Sequence, residues 1–330
     1  MKDIYDILRE FKQQVGRDLK TRRRFALATL VRVEGSSYRR PGARMLICED
    51  GRAVGSLSGG CLEEEVALRA RDVLKSGAPA IMSFDTRRRF GCHGKIDIFI
   101  ERIPESFLVD LARHLDARRS CFVITDSERS SVAVREAASF PFPDIATGKN
   151  PEIVGEADSF PYSRKTVFTR LVQQIHPPIR LLIFGEGPDS EPLRHLSELL
   201  GWQALQFADV TACAIKRDEW TAAIIKSHNY GRDFTALQEL LPLNLRYVGL
   251  IGPRKRRDQL LNDLLDLGVA INAGFFAPAG LDLGAETPEE IALAVISEIQ
   301  RVFAAGSGES LRERKISIHK GKRDTDSVRI

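Results

Sequence analysis

Several things are scarce in this 330-residue chain, and each scarcity removes a class of protein. No apolar run approaches the roughly eighteen residues that a membrane-spanning helix needs, so a helical membrane protein is excluded. The segment from Met1 to Arg24 is charged and amphipathic, without the apolar stretch of a secretory signal, and the expected location is the cytoplasm. Cysteine occurs five times, at positions 48, 61, 92, 121 and 213, too few and too scattered for a disulfide scaffold. There is no Cys-x-x-Cys pair, which removes the common zinc-ribbon and dithiol readings. A strong charge bias is also missing. The net charge is +4, and Arg312 to Ile330 alone, with seven Lys/Arg against three Asp/Glu, carries all of it. The body is near neutral, which argues against nucleic acid as a partner, and residues 312–330 read as a basic, disordered tail.

What is present fits two globular domains. Apolar residues make up 43% and charged residues 28%, and the length exceeds what one core usually serves. In the first half, helix periodicity marks Ile4 to Val15, Leu62 to Lys75 and Phe107 to Leu115. Strand patterns mark Phe25 to Val33, Ala43 to Cys48, Arg52 to Ser56, Ala80 to Phe84 and Lys95 to Glu101. Ser120 to Asp126 and Ser131 to Val134 read as a hairpin extending that sheet, and Lys165 to Gln174 as an extended segment of open type. This predicts a small N-terminal α+β domain over 1–176, with 120–176 as its extension. Pro177-Pro178 marks the boundary.

Beyond it, strands and helices alternate: Arg180 to Phe184, Trp202 to Phe207, Ala222 to Lys226, Arg246 to Ile251 and a short strand near Val269 to Ile271 are separated by helical stretches. That pattern predicts a Rossmann-like, doubly wound parallel sheet over 177–311, so the fold class is α/β. Gly185-Glu186-Gly187-Pro188-Asp189-Ser190 follows its first strand as GxGxxS, one residue short of a dinucleotide fingerprint. Asp209 is the candidate ribose-binding acid. His228 and Arg254 follow later strands, at the edge where such sheets bind ligands.

Two cysteines stand apart from the rest. Ser58-Gly59-Gly60-Cys61-Leu62-Glu63 and Gly91-Cys92-His93-Gly94 place a thiol among glycines, where backbone freedom and close approach matter more than packing. Cys61 also precedes a helix, whose N-terminal dipole favours a thiolate. Cys48, Cys121 and Cys213 lie in apolar surroundings and read as inert filler. Cys61 and Cys92 are the candidate reactive thiols. A labile disulfide, or a metal shared with His93 and Asp85, remains open.

Seven segments in order carry a resemblance: GSSYRRPGARM (35–45), GSLSGGCLEEEV (55–66), FDTRRRFGCHGKIDIFIE (84–101), LLIFGEGPDSEPL (181–193), SHN (227–229), GLIGPRKRR (249–257) and APAGLDLGAETPEEIALAVISEI (277–299). With them the chain resembles the XdhC/CoxI family, maturation factors of xanthine dehydrogenase and carbon monoxide dehydrogenase. The resemblance implies binding of the molybdenum cofactor, support of its sulfuration, and insertion into an apo molybdenum hydroxylase by a homodimer. A maturation factor, not a turnover enzyme, is what it implies, with a cysteine desulfurase as a further partner. On that reading Cys61 and Cys92 contact the molybdenum, Ser36, Ser37 and Ser58 donate hydrogen bonds, Gly59 and Gly60 belong to the cofactor-binding loop, and Arg39 and Arg44 supply positive charge. Gly185, Gly187, His228 and Arg254 would hold a phosphate or a nucleotide in the Rossmann crevice. The alternatives are a nicotinamide- or flavin-dependent oxidoreductase and a thiol-based regulator or scaffold.

Overall fold

Alternation along a single strand organises the first half of the chain. In the computed structural model, which describes residues 2–17, 23–85, 94–127, 131–136, 152–154, 170–214 and 217–313, β1 (Phe25–Gly35) sends Phe25 and Leu27 to one face and Ala26, Ala28 and Leu30 to the other. It lies at the centre of an antiparallel sheet. On one side are β2 (Arg44–Cys48) and then β3 (Ala53–Gly55). On the other are β5 (Gly94–Ile103) and then β4 (Ala80–Asp85).

Both faces are covered. Helix α2 (Glu63–Ser76) buries Val66, Ala70, Val73 and Leu74 against the face of Ala26 and Ala28. Helices α1 (Lys2–Arg17) and α3 (Glu105–Asp116) cover the opposite face with Ile4, Ile7, Leu8, Phe11, Phe107, Leu108 and Leu111. Each such buried side chain is worth about 1.5–3 kcal/mol. Packing of these stripes therefore holds the helices more than propensity does.

The hairpin does not extend this sheet. β6 (Cys121–Asp126) and β7 (Ser131–Glu136) join β8 (Glu152–Val154) and β9 (Arg170–Ile175) in a second antiparallel sheet of order β7-β6-β9-β8. Its Cys121, Val123 and Ile175 bury against Phe25 and Leu27, so the sheets stack face to face. The apolar residues of β6 demand cover, which an edge position would not provide.

The chain divides into two units, Met1–Pro177 and Pro178–Ile330. The second has a parallel sheet in which β10 (Arg180–Phe184) lies between β11 (Gln203–Phe207) and β12 (Thr221–Ile225), followed by β13 (Tyr247–Leu250) and β14 (Phe275–Phe276). Helices α4 (Ser190–Leu199) and α7 (Pro288–Ala304) cover one face, and α5 (Tyr230–Leu240) and α6 (Arg254–Asp266) the other. The sheet is thus doubly wound, and its order reverses between β10 and β12. The strand expected near Val269 to Ile271 is absent. After α6, the Val269 amide turns back to the Leu264 carbonyl, and Val269 and Ile271 pack as partly buried plugs. Pairing resumes only where Phe275 meets Val248. Among the described residues no helix is long and apolar enough to cross a membrane.

Candidate functional site

Three of the glycine-rich segments meet at one end of the first sheet. β1 ends at Gly35, which pairs with Gly94 at the start of β5, and β4 ends at Asp85 opposite Lys95. Contact there is close: a Cβ on Gly94 would lie 2.2 Å from the Ser36 carbonyl oxygen. β3 ends at Gly55, opposite Met45, and leads into the loop of Cys61. A Cβ on Gly59 would lie 3.3 Å from the Tyr38 ring, so the loops of 36–43 and 56–62 touch. Cys61 is exposed in the second of these loops and is a free thiol among the described residues; Ser36 and Tyr38 are also exposed, and Ser37 is half-buried. Cys92 and His93 lie outside the described residues, as do Arg87 to Arg89 and 314–330 of the tail. Among the described residues, no three His, Cys, Asp or Glu groups are placed to hold a metal ion.

The loop before Cys61 has an internal anchor that composition did not reveal. The Glu63 carboxylate accepts hydrogen bonds from the amides of Leu57 (2.9 Å), Ser58 (2.8 Å), Gly59 (3.3 Å), Gly60 (3.0 Å) and Leu62 (3.1 Å). The hydroxyls of Ser56 (3.0 Å) and Ser58 (2.8 Å) donate to it as well. Burial alone would raise this carboxyl, but the amide and hydroxyl of Ser58, with the amides of Leu57 and Leu62, hold it down to about 2. The hydroxyl of Ser58, expected to donate to a ligand, is therefore turned inward to the chain's own carboxylate, together with the amides of Ser58, Gly59 and Gly60. Helix α2 starts at Glu63 without a side-chain cap and with Glu63, Glu64 and Glu65 in its first turn. The positive end expected to act on Cys61 thus carries three glutamates in its own first turn.

The arginines are also placed differently from the sequence reading. Arg39 is ion-paired with Asp3 of α1. Arg44 is 1% exposed and lies between the two stacked sheets, not at the loop mouth. It donates from Nη1 to the Gly42 carbonyl (3.1 Å) and to Gln173 of β9. The alternation of β2 puts residue 44 on the same inward face as Leu46 and Cys48, and the second sheet seals it there. Nearby Glu101 on β5 is 2% exposed. Among the described residues, Nε and Nη2 of Arg44, both oxygens of Glu101, and the hydroxyls of Thr29 and Thr125 have no hydrogen-bond partner. Burial pushes Glu101 up to about 8, opposed by the charge of Arg44 and assisted by that of Asp126. It pushes Arg44 down to about 10, so the guanidinium stays charged at neutral pH while Glu101 keeps its proton. Cys48 and Cys121 are buried thiols, raised chiefly by burial to about 11 and about 12. Cys213 is half-buried.

In the second unit, the loop of Gly185 to Ser190 and the loop after β12 flank the point where strand order reverses, the usual ligand position in such sheets. Gly185 has φ +131°, and a Cβ there would come within 2.7 Å of the Lys226 carbonyl. The fingerprint loop is filled from below by Lys226, which is fully buried. Its ammonium donates to the Glu186 carbonyl (3.1 Å) and the Ser190 hydroxyl (2.9 Å), and pairs with Asp189 (2.8 Å). His228, in the left-handed region at φ 54°, is largely exposed, with Nε2 3.7 Å from Asp189. Arg254 is exposed at the start of α6, with no ion pair among the described residues, whereas Arg256 is paired with the buried Asp233. Asp209 spends its carboxylate on Thr211 of its own turn, accepting from the amide (3.0 Å) and the hydroxyl (2.5 Å). Sequence reasoning passed over Lys226 and Glu63. The signals were there: a lysine closing the apolar strand Ala222 to Ile225, and a glutamate shortly after a double-glycine turn.

Residues 19–85 match the XdhC and CoxI family, and residues 181–299 match the XdhC Rossmann domain. A relative from Bacillus subtilis (strain 168), named as a probable xanthine dehydrogenase subunit, is 30% identical over 313 residues, 83% of this chain and 91% of its own length. The chain belongs to the XdhC and CoxI family. A second relative in Escherichia coli (strain K12), named molybdenum cofactor insertion chaperone PaoD, is 25% identical over 291 residues, 84% of this chain and 82% of its own. A Bacillus halodurans crystal structure described as a xanthine dehydrogenase has a TM-score of 0.72 at 24% identity, covering 93% of this chain and 98% of that one. That likeness is one of fold. The family's two matched segments fall one in each unit and include both the Cys61 loop and the Lys226 loop.

Proposed function

We propose that this protein binds the molybdenum cofactor as cargo and inserts it into an apo molybdenum hydroxylase of the xanthine dehydrogenase type. The observation that carries the reading is the exposed Cys61 thiol at the end of the first sheet where three glycine-rich segments converge. A thiolate is a soft ligand suited to a transition metal, and an exposed one can give the metal up again. The names of the relatives from B. subtilis and E. coli support the same role. In this reading Ser36 and Ser37 face the cargo with Cys61, and Cys92 is the second thiol offered to the molybdenum. The crevice of Gly185, Gly187, His228 and Arg254 takes a nucleotide or a phosphate-bearing group. The chain acts as a cytoplasmic homodimer, supports sulfuration of the cargo and works with a cysteine desulfurase, without turnover of its own.

The test is anaerobic purification from cells that make the cofactor, with molybdenum counted by mass spectrometry and pterin by fluorescence after oxidation. Near-stoichiometric molybdenum and pterin are expected, falling at least ten-fold in Cys61→Ser while circular dichroism is unchanged. Parent protein free of both, from cells in which a known carrier loads, overturns the reading.

A further inference from the structure

We infer that Glu63 is the positioning residue of the Cys61 thiol. The inference rests on the proposed role of Cys61 in holding cargo. The two amides that flank the cysteine, Gly60 N at 3.0 Å and Leu62 N at 3.1 Å, both donate to the same oxygen, Oε2 of Glu63. The 59–60 and 61–62 peptide units, which bracket the Gly60–Cys61 step, are thereby tied to one atom. Oε1 gathers the amides of Leu57, Ser58 and Gly59, and each serine hydroxyl holds one carboxylate oxygen. The serines also brace the loop directly: Ser56 Oγ accepts from the Gly59 amide (3.1 Å), and Ser58 Oγ from the Leu62 amide (3.2 Å).

Two consequences follow. The first concerns position. Gly59 and Gly60 have φ of +100° and +114°, so this turn has little intrinsic preference to stand in one shape. A carboxylate that receives all these donors supplies the missing order, and Leu57 and Leu62, both buried, fix the loop's ends in the core under α2. Cys61 is then the outward residue between two pinned amides. The second concerns charge. Amide clusters of this kind bind anions or stabilise thiolates. Here the donors are already taken by an internal anion, so they are withheld both from the sulfur and from free oxyanions. The loop therefore offers its cargo a thiol and not a backbone nest. Glu63 does not touch the cargo; it acts through Cys61.

The experiment follows Cys61 itself, so it needs no cofactor. Hydrogen exchange of the amides of 57–62 and the pH profile of Cys61 alkylation by iodoacetamide, read by peptide mass spectrometry, are compared in the full chain. In Glu63→Gln, exchange at 57–62 quickens at least ten-fold, and the alkylation profile moves to lower pH, because the carboxylate is gone and the amides are released. Glu63→Asp keeps the charge but falls short of the outer donors: exchange quickens, and the alkylation profile stays closer to the parent. A loop that is merely structural would not separate the two variants in this way. Ser56→Ala removes one donor and quickens exchange two- to five-fold, which keeps the test open if Glu63→Gln fails to fold. Parent-like exchange and a parent-like profile in Glu63→Gln, or parent-like exchange in Ser56→Ala where the glutamine variant does not fold, overturn the inference. Cofactor-free parent protein with these loop effects present overturns the proposed function instead.

Discussion

Glu101 makes the first unit's stability depend on pH in the unusual direction. Its carboxyl lies between two stacked sheets at 2% exposure, and neither oxygen finds a hydrogen-bond partner among the described residues. Burial raises it from the usual 4.5 to about 8 in the folded state, against the pull of Arg44. A group raised on folding stabilises fully below its unfolded value, and the contribution is lost as pH rises through the folded value. Between pH 5 and pH 8 the unfolded chain releases this proton while the folded chain keeps it. The loss over that window is on the order of 3–4 kcal/mol, at about 1.36 kcal/mol per unit where the difference is complete. Glu101→Gln keeps shape and removes ionisation. Any cost of the buried amide is the same at every pH, so the variant loses this slope and gains on the parent as pH rises. Both tryptophans, Trp202 and Trp220, lie in the second unit, so tryptophan fluorescence would report the wrong half. Protection of the buried Cys121 thiol against denaturant, normalised to the unfolded alkylation rate at each pH, reports the first unit. Equal slopes for parent and variant between pH 5 and pH 8 would refute the argument.

Two further outcomes follow from single contacts. Lys226→Met strips the fingerprint loop of the ammonium bonded to Glu186, Asp189 and Ser190. It should cost the second unit about 3 kcal/mol, read by tryptophan fluorescence during chemical unfolding, and a cost under about 1 kcal/mol would show that the lysine is not a strut. Thr287 and Glu290 form a capping box at the start of α7, with the Glu290 amide 3.3 Å from the Thr287 hydroxyl and the Thr287 amide 3.0 Å from the Glu290 carboxylate. Thr287→Ala should cost about 1 kcal/mol by the same assay, with an unchanged midpoint counting against the cap.

Much of the fold was readable because local patterns and tertiary packing agree. The stripe of Ile4, Ile7, Leu8 and Phe11 is the buried face of α1, and Thr287-Pro288-Glu289-Glu290 starts a helix as its chemistry demands. The site was less readable. Gly59-Gly60-Cys61 marks a turn, but which group receives its amides depends on where Glu63 folds back. Arg44 reads as a loop-edge cation, and only the second sheet makes it an interior one.

By itself, the sequence determined the elements, the parallel grammar of the second unit, the glycine-flanked thiol and the family motifs. These depend on neighbours along the chain, where periodicity and turn chemistry act. The tertiary structure alone decided that 121–126 and 131–136 stack instead of extending the first sheet. It also decided that Glu63 fills the nest beside Cys61, that Lys226 fills the fingerprint loop, and that Arg44 and Glu101 are sealed together. Each of these is a polar group whose partner lies across a turn, a strand or a whole sheet. Hydrogen bonding and desolvation are settled by proximity in space, and the order of residues does not specify which donors will meet which acceptor until the chain has closed around them.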